Sequence, residues 1–141
     1  MSLPIFPDQV QTDPATAPKP RRNRASAKAA GRGFERLVAN FLRDVLGDDR
    51  IDRRVKTGAK DLGDIAGVRT IRGGRVVIEC KDVARPDLPG WLRQAETERE
   101  NDEAVVGVVV HKKRGTTAPG EQYVTMTLDA FAILLDGGMD R

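Results

Sequence analysis

Residues 104–110 constrain the fold of this chain most, because their sequence, AVVGVVV, carries a β-branched side chain at nearly every position. A strand that is apolar at consecutive positions is buried on both faces, whereas a half-exposed strand alternates apolar and polar residues. Burial on both faces requires a layer of structure on each side of the sheet. The segment therefore predicts a central strand with helices on both sides.

The rest of the chain supplies the elements of such a sheet. Apolar residues recur at intervals of three and four from Ser26 to Val45, which predicts a helix that Gly47 ends. Four further strands are predicted over residues 50–56, 64–68, 75–81 and 123–127, and two further helices over residues 90–102 and 128–135. Gly73-Gly74 predicts a tight hairpin turn between the second and third strands. The order predicts an α/β fold with a mixed central β-sheet flanked by helices.

The chain begins with a segment of different composition. Residues 1–25 contain five prolines and little apolar periodicity, which predicts a flexible arm followed by a single domain over residues 26–141. Residues 1–33 carry six basic and two acidic side chains, a net charge of +4, although the whole chain has only +3. The arm is either a phosphate-binding element or a solvated, solubilising tail, and charge alone leaves both open.

Composition excludes several classes of site. The single cysteine, Cys80, excludes an internal disulfide and a cysteine-rich zinc site, and the single histidine, His111, argues against a histidine-built metal centre. Any metal must therefore be bound by oxygen ligands. No apolar run reaches the ~18 residues of a membrane span, and no secretory signal is recognisable, so a soluble, cytoplasmic protein with no membrane partner is expected. At 4% aromatic residues, the chain has few side chains with which to stack unpaired RNA bases.

Charged residues interrupt an otherwise apolar strand at the end of the segment VVIECK, residues 76–81. Period-two alternation places Glu79 and Lys81 on one face and Cys80 in the core on the other. Burying charge is costly unless the charge is paired or bound to metal. If the hairpin forms, Asp64 begins the neighbouring strand with its carboxylate beside Glu79. Two carboxylates then converge beside one lysine.

This arrangement suits hydrolysis of a phosphodiester bond. Two carboxylates and a backbone carbonyl, that of Cys80, make the oxygen-rich site that Mg²⁺ prefers, with Mn²⁺ as a substitute. The metal polarises the scissile phosphate, and Lys81 is placed to hold the attacking water or to stabilise the transition state. The alternative is a surface salt bridge between Glu79 and Lys81.

The pattern of Asp64 followed fifteen residues later by Glu79-Cys80-Lys81 resembles the D…ExK core of the PD-(D/E)xK nucleases. Gly33-Phe34-Glu35 on the first helix is also similar to that superfamily, whose members often carry a helical glutamate that completes the metal site. The resemblance implies Glu35 as a third acidic, metal-binding residue, with an exposed helix charge as the alternative. Gly63 stands where the superfamily name has proline. The similarity covers roughly residues 30–112.

Resolvases of four-way DNA junctions are the branch that this sequence resembles most. In that branch a basic segment precedes the first helix and a polar, glycine-containing turn precedes the aspartate, as residues 21–32 and 57–60 do here. The resemblance implies a restriction-endonuclease-like α-β-β-β-α-β core and a homodimer that cuts Holliday junctions in a bacterial or phage-infected cell. Gln94 is expected near the site. The DNA-binding residues expected on this basis are Arg21, Arg22, Arg24, Lys28, Arg32, Arg54 and Lys60.

Other interpretations stay open. A nuclease of the same fold that cuts linear duplex, in restriction or repair, and a non-catalytic DNA-binding protein that uses the basic arm are the alternatives to a resolvase. Arg54 and Lys60 are otherwise solvated charges, and His111 either touches phosphate or is satisfied within the fold. Trp91 is expected either to pack in the core or to lie in a dimer contact. The apolar C-terminal helix is a second candidate for a dimer contact. The acidic run 96–103 predicts a solvated helix face.

Overall fold

The computed structural model describes residues 23–56 and 58–138. Most of the predicted arm, with Arg21 and Arg22, lies outside the described residues. None of the described helices is long and apolar enough to cross a membrane. The elements are helix α1 (Arg24–Leu46), strands β1 (Asp52–Arg53), β2 (Ile65–Ala66) and β3 (Val76–Lys81), helix α2 (Leu88–Asn101), strand β4 (Val106–His111), a 3-10 turn (Pro119–Glu121), strand β5 (Tyr123–Thr125) and helix α3 (Leu128–Leu135).

The five strands form one mixed sheet in the order β1-β2-β3-β4-β5. Strands β1 to β3 form an antiparallel meander, and α2 then connects β3 to β4, which pair in parallel. Strand β5 returns antiparallel to β4, so the valine-rich strand β4 lies between two neighbours, as predicted. The predicted α/β fold with a mixed sheet is confirmed.

Helix α1 begins at Arg24, two residues before the predicted start, because Asn23 caps it. The Asn23 side-chain oxygen accepts a hydrogen bond from the Ser26 amide at 2.8 Å. The helix ends at Gly47, whose φ of 60° is a left-handed conformation that favours glycine. Helices α1 and α3 share one face of the sheet. The buried cluster between them and the sheet consists of Phe34, Val38, Ala39, Ile51, Ile65, Val76, Ile78, Val106, Val108, Val110 and Ala130.

Helix α2 covers the opposite face of the sheet. Its residues Trp91 and Ala95 pack against Val109, and the Trp91 ring lies with its centroid 5.3 Å from that of His111. The packing role predicted for Trp91 is therefore confirmed. The Nε2 atom of His111 lies 2.7 Å from the Thr125 hydroxyl, so this histidine is satisfied within the fold.

The strands of the meander differ from prediction in length and turn type. The strand predicted over residues 50–56 is shorter in the structure, because β1 contains only two residues, and within that segment Ile51 is buried while Val55 is 80% exposed. The turn between β2 and β3 is wider than a two-residue hairpin, since the Thr70 amide donates to the Gly74 carbonyl at 2.8 Å. The Thr70 hydroxyl also accepts a hydrogen bond from the Gly74 amide at 3.0 Å, which closes the turn with a side chain. The antiparallel pairing itself is as predicted.

Gly107 allows helix α2 to lie directly on the backbone of β4. A Cβ atom at Gly107 would stand 2.6 Å from the Ala95 carbonyl oxygen, which is too close for any real side chain. A residue other than glycine would push α2 away from the sheet. Helix α2 also carries residues of the candidate site, so its contact with Gly107 sets how closely those residues approach β3.

We expect Gly107→Ala to lower the free energy of unfolding by about 1–3 kcal/mol, as overpacking of a well-packed interior does. Gly33→Ala is the matched control, because a Cβ there meets nothing within 4 Å. In the middle of helix α1 that change should raise stability by ~0.5–1 kcal/mol. Urea unfolding followed by circular dichroism measures both variants. An unchanged or higher stability of Gly107→Ala would contradict the close contact.

Candidate active site

Asp64 and Glu79 lie side by side where strand β2 meets β3. Asp64 directly precedes β2, and its amide donates to the Ile78 carbonyl at 2.8 Å. This register brings its carboxyl group beside that of Glu79, close enough for the two to interact. Both residues are buried, with only 5% and 3% of their surface exposed. The hairpin thus brings together the two carboxylates that were singled out in the sequence.

Lys81 lies beside this pair at the end of β3. Its ammonium group is 3.4 Å from Oε2 of Glu79 and donates a hydrogen bond to Oε1 of Gln94 at 2.7 Å. Gln94 comes from helix α2, so two elements of the fold fix the position of the ammonium group. Because Glu79 is buried and the Lys81 side chain is 20% exposed, the pair is not a surface salt bridge.

Cys80 lies between Glu79 and Lys81 on the opposite face of the strand. Its side chain packs against the core on the α1 side, as predicted, and burial, followed by the charge of Asp64, raises the pKa of the thiol. The thiol is therefore a poor nucleophile. The Cys80 amide donates to Oδ2 of Asp64 at 2.8 Å and so holds that carboxylate against β3. The role of the Cys80 carbonyl as a metal ligand stays a prediction.

Glu35 and Lys56 extend the charged cluster toward helix α1. The Lys56 ammonium group lies 3.7 Å from Oδ1 of Asp64, and Oε1 of Glu35 lies 3.5 Å from Nη2 of Arg53. Burial and then the charge of Asp64 raise the pKa of Glu35, although Arg53 and Lys56 lower it. Glu35 is thus a half-buried charge near Asp64 rather than a free one on the helix surface. Lys56 was missed in the sequence, where nothing distinguishes it from the arginines before it.

Glu98 contradicts the prediction that residues 96–103 form a solvated helix face. It is only 1% exposed, on the face of α2 that also carries Trp91 and Ala95. Neither of its carboxyl oxygens has a hydrogen-bond partner among the described residues. A signal for its burial was present, because residues three and four apart share one helix face and Glu98 follows Ala95 by three.

Negative charge accumulates in the interior between β3 and α2. Burial, followed by the contact with Asp64 and the charge of Glu98, raises the pKa of Glu79 to about 10, and Lys81 opposes this only in part. Burial, followed by the charges of Asp61 and Asp64, raises the pKa of Glu98 to about 7. Ionised carboxylates in the interior require a counter-charge, so the cluster holds protons or binds a cation.

The raised pKa of Glu98 predicts a pH-dependent effect of Glu98→Gln in the metal-free protein. Between its ordinary pKa of 4.5 and about 7, the folded protein binds more protons than the unfolded chain, so stability is lost as the pH rises through this window. Glutamine has no charge to bury. The variant should therefore melt ~4 °C or more above the wild type near pH 8 but not near pH 4.

Calorimetry in EDTA checks this expectation. Glu100→Gln is the control, because Glu100 lies on the same helix with its side chain 67% exposed, and its melting temperature should follow the wild type at both pH values. Equal melting temperatures of the wild type and Glu98→Gln near pH 8 would contradict the loss of stability that we assign to the ionised, buried Glu98 carboxylate.

An open groove of about 760 Å³ lies beside the acidic centre. Lys28, Arg32 and Glu35 line it from helix α1, and Arg53 and Lys56 line it from the segment around β1. Two of the predicted DNA-binding residues, Lys28 and Arg32, therefore share a surface with Glu35. The acidic centre is bordered on this side by basic side chains.

The remaining predicted DNA-binding residues among those described are Arg54, Lys60 and Arg24. Arg54 also lines the groove, but its guanidinium lies 3.7 Å from Asp102 and its side chain is 22% exposed. Lys60 lines an adjoining cavity of about 190 Å³, which shares Arg54 and Lys56 with the groove. Arg24 is exposed at the start of α1.

Within residues 23–56 and 58–138, no three Asp, Glu, His or Cys side chains are arranged to hold a metal ion. The carboxyl groups of Asp64 and Glu79 contact each other, and Glu79 also pairs with Lys81.

Comparison of the chain with protein-family models, with curated proteins and with solved structures finds no significant match. What the site does is therefore inferred from its geometry and chemistry.

Proposed function

We propose that this chain is a divalent-metal-dependent endonuclease, similar to the PD-(D/E)xK nucleases, with Asp64, Glu79 and Lys81 at its centre. The observation that carries the proposal is a pair of buried carboxyl groups in contact, with an ammonium group 3.4 Å from one of them. A buried charge cluster of this kind costs stability, so a functional reason for it is expected. Phosphodiester hydrolysis uses both kinds of charge, carboxylates to hold a cation and an ammonium group to stabilise the transition state.

The donor set at the centre fits Mg²⁺ or Mn²⁺. Carboxylate oxygens are the ligands that these hard cations prefer, and the only cysteine and histidine of the chain are occupied by core packing and by Thr125. Asp64 and Glu79 would hold the ion, with Glu35 nearby. When bound, a divalent cation polarises the scissile phosphate and lowers the pKa of the attacking water.

Lys81 has a task of its own in this reaction. Held by Glu79 and Gln94, its ammonium group is positioned to donate to the attacking water or to a non-bridging phosphate oxygen. The Cys80 amide fixes the Asp64 carboxylate in the same way. Groups that are already oriented need little reorganisation as charge develops in the transition state, which is how such a centre lowers the barrier.

The basic groove supports a nucleic-acid substrate. The groove presents one continuous surface with the basic side chains of Lys28, Arg32, Arg53 and Lys56 along it. Lysine and arginine bind phosphates whatever the base sequence. Phosphate contacts orient DNA without reading its bases. Such a surface favours recognition of DNA shape, and we therefore propose branched DNA, a four-way junction above all, as the substrate.

A homodimer would place two such centres on the two strands of a symmetric junction. Helix α3 leaves Leu128, Phe131 and Leu135 exposed, and intervals of three and four residues place them on one face. The edge strand β5 adds the exposed Val124, which pairs with Val110 and so shares the face of the sheet that α3 covers. These apolar side chains support a contact between two copies of the chain.

The test is cleavage of a labelled four-way junction and of linear duplex of the same sequence, each with Mg²⁺ and with EDTA. The proposal predicts paired, Mg²⁺-dependent nicks in the junction alone. Cutting of both substrates would keep the metal-dependent nuclease and remove the junction specificity. Binding without cutting would favour a non-catalytic DNA-binding protein.

A further inference from the structure

Glu98 is a buried carboxylate, and none of the roles proposed for Asp64, Glu79 and Lys81 explains why it is there. It is 1% exposed, and both of its oxygens lack a hydrogen-bond partner within the described part of the chain. No lysine, arginine or histidine of the described residues forms an ion pair with it. A carboxylate buried in this way, with no well-formed hydrogen bond and no counter-charge, is strongly disfavoured unless something binds it.

The Glu98 carboxyl group points into the acidic centre. Its Oε2 atom lies 3.5 Å from the place where a Cβ on Gly63 would stand, so it reaches the backbone immediately before Asp64. It is also close enough to Glu79 and Gln94 to interact with both side chains. Helix α2 therefore delivers a third carboxyl group to the pair formed by the β2–β3 hairpin.

We propose that Glu98 is a direct ligand of the divalent cation at this centre, so that a cation bound by Asp64 and Glu79 is also coordinated by a carboxylate from helix α2. The proposal rests on the proposed function for the identity of the reaction, but the binding of a cation can be measured without it. Neither the spacing of Asp64, Glu79 and Lys81 nor the resemblance that it carries assigns a role to Glu98.

Charge supports this assignment. Asp64, Glu79 and Glu98 carry three negative charges when ionised. Lys81 supplies one positive charge beside Glu79, and Lys56, whose side chain is 68% exposed, lies 3.7 Å from Asp64. The buried part of the centre therefore keeps an excess of negative charge, which a divalent cation would neutralise. The alternative in the metal-free protein is that Glu98 and Glu79 keep protons, and binding of a cation releases them.

Within the described residues, no three acidic, imidazole or thiol side chains are arranged to hold a metal ion. Asp64 and Glu79 already lie together, so binding of one cation by all three carboxyl groups requires the Glu98 side chain to turn toward that pair. Oδ1 of Asp64, which faces Lys56 at 3.7 Å, and both oxygens of Glu98 are free of backbone hydrogen bonds. These oxygens are available to turn toward a cation.

The experiment is calorimetric titration of EDTA-treated full-length protein with Mn²⁺ alone. Glu98→Gln keeps the size of the side chain and removes its charge, and it should weaken Mn²⁺ binding by ~10-fold or more. Glu100→Gln, an exposed position on the same helix, should bind Mn²⁺ like the wild type. Thermal melting in EDTA reports whether each variant folds. Glu98→Leu, an apolar side chain suited to a buried position, should show the same loss if the glutamine variant does not fold.

The outcomes separate this proposal from the proposed function. If Glu98→Gln and Glu98→Leu bind Mn²⁺ within about twofold of the wild type while Asp64→Asn does not, Glu98 is not a ligand and the nuclease proposal stands. If the wild type binds no Mn²⁺, the assignment of Glu98 is overturned. DNA cleavage in EDTA would instead overturn the metal-dependent nuclease, whatever Glu98 binds.

Discussion

Asp64→Asn is expected to lower the single-turnover rate of DNA cleavage by ~10³-fold or more while DNA affinity stays within a few-fold of the wild type. The amide oxygen can still accept the hydrogen bond that the Cys80 amide donates to Asp64 at 2.8 Å, so the local backbone has no reason to move. What the variant loses is a charged ligand oxygen beside Glu79. The loss should therefore fall on the chemical step and not on folding or on DNA binding.

Single-turnover cleavage of a labelled four-way junction, with gel-shift binding in parallel, measures both quantities. Asp44→Asn is the matched control, because Asp44 is exposed on helix α1 and should cleave like the wild type. Cleavage by Asp64→Asn within about tenfold of the wild-type rate would remove Asp64 from the centre. A parallel loss of binding and cleavage would instead indicate that Asp64 supports the fold.

Lys81→Met should lower the cleavage rate at saturating DNA by ~10²–10³-fold, the usual effect of removing one preorganised donor from a charge-stabilising site. Methionine fills a similar volume without the ammonium group that lies 3.4 Å from Glu79 and 2.7 Å from Gln94. Removing a positive charge from beside the carboxylates should leave Mn²⁺ binding unchanged or tighter. This combination distinguishes Lys81 from Asp64, whose loss should abolish both cleavage and metal binding.

Lys113→Met is the matched control for Lys81. Lys113 follows strand β4, and within the described part of the chain its side chain forms no ion pair with the acidic centre. Its replacement should leave the rate at saturating DNA unchanged. If Lys81→Met and Lys113→Met cleave alike, the ammonium group of Lys81 acts only as a counter-ion to Glu79 and has no part in the reaction.

The centre of the fold and of the candidate site could be predicted because the signals are local. Two-residue periodicity in the strand that ends at Lys81 places Glu79 and Lys81 on one face. In the structure Lys81 lies beside Glu79, and Cys80 packs against the core on the opposite face. The neighbouring strand β2 comes just before β3 in the chain and pairs with it antiparallel, so Asp64 has few places to lie other than beside Glu79. The valine-rich strand β4 likewise shows its burial in its own composition.

The parts that were not predicted depend on contacts that composition and residue spacing do not reveal. Glu98 belongs to a run of acidic residues typical of a solvated helix face. Its spacing of three from Ala95 indicates burial only once Ala95 is known to pack onto Gly107. Lys56 is one cation among several in its segment until the meander places it 3.7 Å from Asp64. The hairpin turn was misjudged because the Thr70 hydroxyl closes it, a side-chain contact that glycine spacing does not reveal.

The most direct test of a metal-dependent endonuclease is single-turnover cleavage of a labelled four-way junction across a magnesium titration that begins in EDTA. We expect no cleavage in EDTA, a saturable rise with Mg²⁺, and a rate for Asp64→Asn that stays ~10³-fold or more below the wild type at every Mg²⁺ concentration. Cleavage in EDTA, wild-type cleavage by Asp64→Asn, or the absence of DNA cleavage at every concentration of Mg²⁺ and Mn²⁺ would contradict it.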